Sequence, residues 1–126
     1  MRLIADTHAL IWWLTDPGRL SRRAFAAMED EGNDVVISAV TAYEIEFKRR
    51  VDPLLQVIPM DLEAAVLAQR FGWRPITPAD AMAAGRLPRH HRDPWDRLLV
   101  AQCLQEGAAL ISRDGDLAAY GAKLIW

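Results

Sequence analysis

The sequence predicts a single α/β domain built on a short, mainly parallel β-sheet flanked by helices. Short aliphatic or β-branched runs alternate with longer helical patterns, the signature of parallel strands joined by helical crossovers. Proline, glycine and asparagine punctuate the chain where helices must stop. Internal repeats, low-complexity segments and linkers long enough to divide residues 1–126 are lacking. With 52% of its residues apolar and 25% charged, the chain is long enough to bury a core of its own.

The elements follow in order. Leu3-Ile4-Ala5 marks a first strand near Arg2–Ala5, and a helix near His8–Leu14 runs to the stop Asp16-Pro17-Gly18. A helix near Ser21–Glu31 ends at Gly32-Asn33, and the run Val35-Val36-Ile37 places a second strand near Asp34–Ile37. Helices are expected near Ala39–Val51, before Asp52-Pro53, and near Asp61–Phe71, Pro78–Gly85 and Pro94–Glu106, with Pro88 and Gly107 as breakers. Strands near Ala109–Ile111 and Lys123–Ile125 complete the domain.

Charge and cysteine usage narrow the function classes. A net charge of -2 argues against a uniformly basic nucleic-acid surface, although arginine greatly outnumbers lysine. Arg22-Arg23, Lys48-Arg49-Arg50 and Arg89-His-His-Arg92 are either local phosphate-holding clusters or solvated helix faces. The lone Cys103 cannot form an internal disulfide, and the apolar start is interrupted by Asp6 and His8 before it resembles a signal peptide. These features lead to the expectation of a reduced, cytoplasmic protein, and no run approaches the roughly 20 apolar residues of a membrane span.

The acids carry the most information. Asp6, Glu44, Asp93 with Asp96, and Asp114 each stand against apolar sequence. Buried carboxylates are unfavourable without a cation or donors, so several of them in a small chain suggest one shared ion; an oxygen-only donor set points to Mg²⁺ or Mn²⁺. Each has a structural alternative. Asp6 can cap the helix that follows, and Thr41-x-x-Glu44 has the spacing of a capping box. On a helical wheel, however, Glu44 shares a face with Val40, Phe47 and Val51, while Glu46 falls with Arg49 and Arg50 on a charged, solvated face. Asp93-Pro94-Trp95-Asp96 is a good helix start, with Asp93 as the cap and an auxiliary ligand candidate. Asp96 lines up with Leu99, Val100 and Cys103. Asp114-Gly115 is compatible with an Asx turn, and Asp116, a further auxiliary candidate, with the next helix cap.

Four segments together carry a resemblance: Leu3-Ile-Ala-Asp6-Thr-His-Ala-Leu-Ile-Trp12, Ile37-Ser-x-x-Thr41-x-x-Glu44-Ile45, His91-Arg-Asp-Pro-Trp-Asp96-Arg-Leu-Leu-Val-Ala-Gln102 and Leu110-Ile-Ser-Arg-Asp114. In this order and spacing they resemble the PIN-domain ribonucleases, and within them the VapC-type toxins of bacterial toxin–antitoxin pairs. The resemblance implies a PIN-like α/β/α sandwich over 1–126. Carried over, the family's four acids fall on Asp6, Glu44, Asp96 and Asp114, as metal ligands and catalytic residues. Ser112 stands where the family often has threonine. The resemblance further implies Mg²⁺- or Mn²⁺-dependent hydrolysis of RNA, a VapB-type antitoxin as partner, and a homodimer.

The chemistry is intelligible from the residues. A divalent ion neutralises charge on a phosphodiester and lowers the pKa of bound water, so no nucleophilic serine or cysteine is needed. Thr7 and Ser112 are candidate supports for the acids, and Arg92, Arg97 and Arg113 are candidates to hold substrate phosphate. His8, His90 and His91 fit loop or capping roles better than ligation of a hard cation. Trp12, Trp13 and Trp95 fit packing or interfaces better than base stacking. Trp12-Trp13-Leu14, and Phe47 with Val51, exceed what one helix face buries and are compatible with a partner groove or with the core. A dehalogenase-like phosphatase would need a second Asp where His8 stands, and a receiver domain would need a lysine near the last strand with an acceptor Asp that the chain lacks. A PIN-fold RNA-processing nuclease outside a toxin–antitoxin pair and a non-catalytic PIN-like binding module are the remaining rivals.

Overall fold

The computed structural model describes residues 1–90 and 93–126. Within them, strands β1 (Arg2–Ala5), β2 (Asp34–Ser38), β3 (Gly72–Arg74), β4 (Ala109–Ile111) and β5 (Leu124–Ile125) form one all-parallel sheet in the order β3-β2-β1-β4-β5. Around it lie α1 (Thr7–Thr15), α2 (Arg22–Glu29), α3 (Ala39–Arg49), α4 (Leu62–Ala68), α5 (Pro78–Arg86) and α6 (Pro94–Glu106). Ile4 of the central strand pairs with Val36 on one side and Leu110 on the other.

Two cores explain why the strands read as unbroken apolar runs instead of alternating ones. Leu3, Ala5, Val35, Ile37, Ala109 and Ile111 pack beneath α1, α2 and α4. Ile4, Val36 and Leu110 point the other way, against Leu99, Val100 and Cys103 of α6. A parallel sheet covered on both faces has no solvated side on which to place polar residues. The result is the expected α/β/α sandwich.

Most expected elements form within a few residues of their predicted bounds. The edge strand β3 was not foreseen: it is three half-buried residues, Gly-Trp-Arg, without a β-branched run. Glycine suits it because a Cβ at Gly72 would lie 3.3 Å from Val36 Cγ1. The helix expected to reach Phe71 stops at Ala68, and Arg70 turns the chain at φ 64°. Gly107, at φ 64°, caps α6 as its position suggested.

The topology creates the site. The chain winds outward from β1 through β2 to β3, then returns across the sheet through α5 and α6 to place β4 on the other side of β1. Adjacent strands β1 and β4 therefore lead into diverging connections, and a crevice opens beyond their C-terminal ends.

Candidate active site

Asp6 follows β1 at that crevice, and its backbone N–H continues the sheet by donating to the Ile111 carbonyl at 3.0 Å. Its carboxylate caps α1, accepting from Ala9 N at 2.8 Å, so the helix-cap reading of Asp6 holds as a geometric fact. Only 8% of the residue is exposed. Burial pushes its pKa up, against the lowering influence of the Ser112 hydroxyl and the Ala9 N–H.

Glu44 enters from α3. That helix starts at Ala39, with Ser38 as its cap, so Thr41 is not a cap and the capping-box alternative fails. The buried Glu44 instead accepts from Thr7 Oγ1 at 2.7 Å and pairs with Lys48 one turn on. Thr41 Oγ1 lies 3.1 Å from the same Thr7 hydroxyl. Glu46 is exposed, as expected, and pairs with Arg49.

Other parts of the wheel need correction. Phe47 and Val51 are 58% and 80% exposed, so they do not join the buried face assigned to Glu44, and Phe47 does not complete the core. Arg49, read as solvated, is buried because its guanidinium donates to the carbonyls of Leu55, Ile58 and Pro59 in the turn after the helix.

Asp93 caps α6 by accepting from Trp95 N at 2.9 Å. Asp96 stands one turn in, and Leu99, Val100 and Cys103 on its side of the helix are fully buried or nearly so. Asp114 caps the 3-10 turn Gly115–Tyr120 by accepting from Asp116 N at 3.0 Å. The cap role expected of Asp116 thus falls to Asp114. Asp116 is exposed and does not line the crevice.

Asp6, Glu44, Asp96 and Asp114, with Asp93, line one cavity of about 350 Å³, joined by Lys48 and Arg113. Of the phosphate candidates, Arg97 turns away: its guanidinium donates to the carbonyls of Ala84, Leu87 and Pro88 at the end of α5. Arg92 and His91 lie outside the described residues. His90 packs edge-on against Tyr120. Lys48 was legible as a partner for Glu44 through its i,i+4 spacing, but not as part of the cavity wall.

The donor set is all oxygen, and it holds a buried carboxylate, Asp6, on which burial outweighs the donors around it; both suit a hard divalent cation. Among the described residues, no three acids converge on one point as they are oriented. Local partners hold several of them: Ala9 N–H on Asp6, Thr7 and Lys48 on Glu44, Asp116 N–H on Asp114. The residues fit an ion in kind and in common location.

Residues 3–123 match the family model described as PIN domain. The chain belongs to the PIN domain family. A relative, Ribonuclease VapC22 of Mycobacterium tuberculosis (strain ATCC 25618 / H37Rv), is 29% identical over 119 residues, covering 94% of this chain and 91% of that protein. The PIN fold of this chain superposes on a solved structure of VapBC2 from Rickettsia felis, bound to a DNA fragment from their promoter, with a TM-score of 0.74 at 12% identity, over 98% of this chain and 97% of the other. FitAcB from Neisseria gonorrhoeae gives a TM-score of 0.65 at 19% identity, over 97% and 95% of the two chains.

Proposed function

We propose that this PIN-domain chain is a divalent-metal-dependent endoribonuclease and the toxin of a toxin–antitoxin pair. The observation that carries the proposal is the meeting of four acids, from four separate segments, in one crevice at the point where the sheet topology reverses. The likeness to a protein named as a ribonuclease supports it. Asp6, Asp96 and Asp114 would hold Mg²⁺ or Mn²⁺, with Asp93, which lines the same cavity, as an auxiliary. Bound there, the ion neutralises the phosphoryl oxygens and lowers the pKa of water. Glu44, fixed by Thr7, holds the ion or orients the attacking water. The water oxygen bonds to phosphorus, the P–O3′ bond breaks and the proton passes to the departing oxygen. The products are a 5′-phosphate and a 3′-hydroxyl.

The same reading includes a VapB-type antitoxin and a homodimer. Solved structures of the same fold are VapBC2 from Rickettsia felis and FitAcB from Neisseria gonorrhoeae. Here a groove of about 800 Å³ runs from the crevice past Val51, Leu54 and Val57, which are exposed apolar side chains of the kind a partner covers. Trp12 and Trp13 belong instead mainly to the core side of α1.

The test is cleavage of total RNA by the purified chain with Mg²⁺, Mn²⁺ or chelator, with the new 5′ ends mapped. Asp96→Asn abolishes metal-dependent cleavage with the fold intact, while Asp93→Asn, which keeps a cap oxygen, does less. Greater damage from Asp93→Asn would overturn the assignment of the third acid. Cleavage that persists in chelator would overturn the metal.

A further inference from the structure

Arg19 and Arg113 come from distant parts of the chain and meet over one aromatic ring. The guanidinium carbon of Arg113 lies 5.1 Å from the Trp12 ring centroid, and that of Arg19 lies 5.5 Å from it. Trp12 is itself fixed, buried to 8% exposure and packed at 5.7 Å from Trp126, with His8 on its other contacts at 5.6 Å. Both arginines are exposed. Ion pairs among the described residues engage Arg2, Arg49, Arg70 and Arg74, whereas Arg19 and Arg113 are in none of these pairs and lie over a ring instead.

Their position gives the feature a direction. Arg113 and Lys48 line both the acidic crevice and the larger groove beside it, and Arg19 lines the groove alone. Cations thus continue outward from the crevice, Lys48 and Arg113 at its junction with the groove and Arg19 beyond it. Asp16 and Asp52 also face the groove, so the charge is a local path and not a broad basic field. A guanidinium attracted to an aromatic ring keeps its in-plane N–H fork, which matches the oxygens of a phosphate.

Resting on the nuclease reading above, we propose that Arg19 and Arg113, pre-positioned by Trp12, bind the RNA phosphates that flank the scissile one, so that the substrate leaves the crevice along this groove. They are binding and positioning residues, not members of the acidic centre. A partner that fills the groove would then compete with RNA for the same path.

The test uses the full chain carrying Glu44→Gln, so that RNA survives, and a labelled single-stranded RNA oligonucleotide in Mg²⁺, with binding followed by anisotropy across a salt series. For single strands each neutralised phosphate contributes about 0.7 to the slope of log K against log salt. Arg19→Gln and Arg113→Gln each lower that slope by about this amount, and Trp12→Leu weakens binding in the same direction. Arg23→Gln, on the exposed face of α2, changes nothing. Should Arg113→Gln or Trp12→Leu fail to fold, Arg19→Gln decides alone. In the otherwise natural chain, Arg19→Gln raises KM about tenfold with kcat nearly unchanged. Slopes equal to the Arg23→Gln control overturn the proposal, as does loss of protein-partner binding with RNA binding intact. A chain that cleaves RNA with unaltered slopes removes this path and keeps the nuclease. A chain that binds with the expected slopes and never cleaves does the reverse.

Discussion

Asp6 serves two roles with one carboxylate, capping α1 and facing the crevice while almost wholly buried. Its raised pKa fixes the sign of its effect on stability. Below the ordinary value of 3.8 both folded and unfolded chains carry the proton; as pH rises through that value the unfolded chain ionises first, so the folded state loses stability until its own higher pKa is passed. Asp6→Asn keeps the cap oxygen and removes this penalty, so without divalent ions its Tm at neutral pH should equal or exceed that of the natural chain. The stabilisation that Mg²⁺ or Mn²⁺ gives the natural chain should shrink or vanish, and calorimetry with and without metal checks both halves. Glu44 and Glu46 form a sharper pair. One is buried against Thr7 and Lys48 and the other is exposed beside Arg49, so Glu44→Gln should cut RNA cleavage at least a hundredfold and Glu46→Gln less than twofold. Equal kinetic effects would refute the division of roles. Cys103 takes no part: burial pushes its thiol up to about 12, which leaves it an inert core residue at neutral pH.

At the scale of elements, one link between α5 and α6 runs through a buried acid. Asp80 accepts from Arg74 through both oxygens, at 2.7 and 2.8 Å, and from Gln102 and Gln105 of α6. It also closes a capping box with Thr77. Burial acts to raise its pKa, but the Arg74 guanidinium, the Thr77 N–H and Gln102 outweigh it and hold the carboxyl at about 2. A depressed acid stabilises fully above its unfolded pKa and loses that contribution as pH falls, here between about 4 and 2; the shift is worth about 2 kcal/mol. Asp80→Asn should destabilise the fold at pH 7 by about 3 kcal/mol, since Arg74 keeps only Glu106 as an ionic partner, and should flatten the acid limb of the stability curve. Denaturant titrations at pH 7 and pH 3 measure both. Arg49 acts similarly on the other side of the sheet, tying the turn Pro53–Val57 to α3 through carbonyls of residues 55, 58 and 59. A basic triplet in the sequence says nothing of this, because charge patterning records that a cation is present and not that carbonyls await it.

At the scale of the molecule, the groove beside the crevice predicts a partner-dependent state. Expressed alone, the chain should arrest growth and deplete full-length RNA; expressed with the product of the adjacent reading frame, it should do neither and should sediment as a heavier complex. A monomer that is harmless alone and indifferent to that product would remove the toxin reading and leave a PIN nuclease of another kind. Among the described residues, four of the five strands, all six helices and the acids at the crevice were legible in the sequence, because a sheet buried on both faces writes itself as aliphatic runs and because caps and breakers are local signals. β3 was not legible, since three edge residues gain their extended form from pairing with β2 and not from their own preference. Nor was the fate of the charged side chains. Whether Arg97 binds substrate or helix carbonyls, whether Arg49 is solvated, and whether Phe47 is buried depend on which element lies opposite, and a helical wheel gives a side chain's angle without its neighbour. The sequence by itself determined which residues can carry the chemistry. Only the tertiary structure decided that Asp6, Glu44, Asp96 and Asp114 share one cavity and that Arg19 joins Arg113 on Trp12, because convergence is set by the reversal of strand order about β1, a relation between segments as many as 108 residues apart that no local pattern encodes.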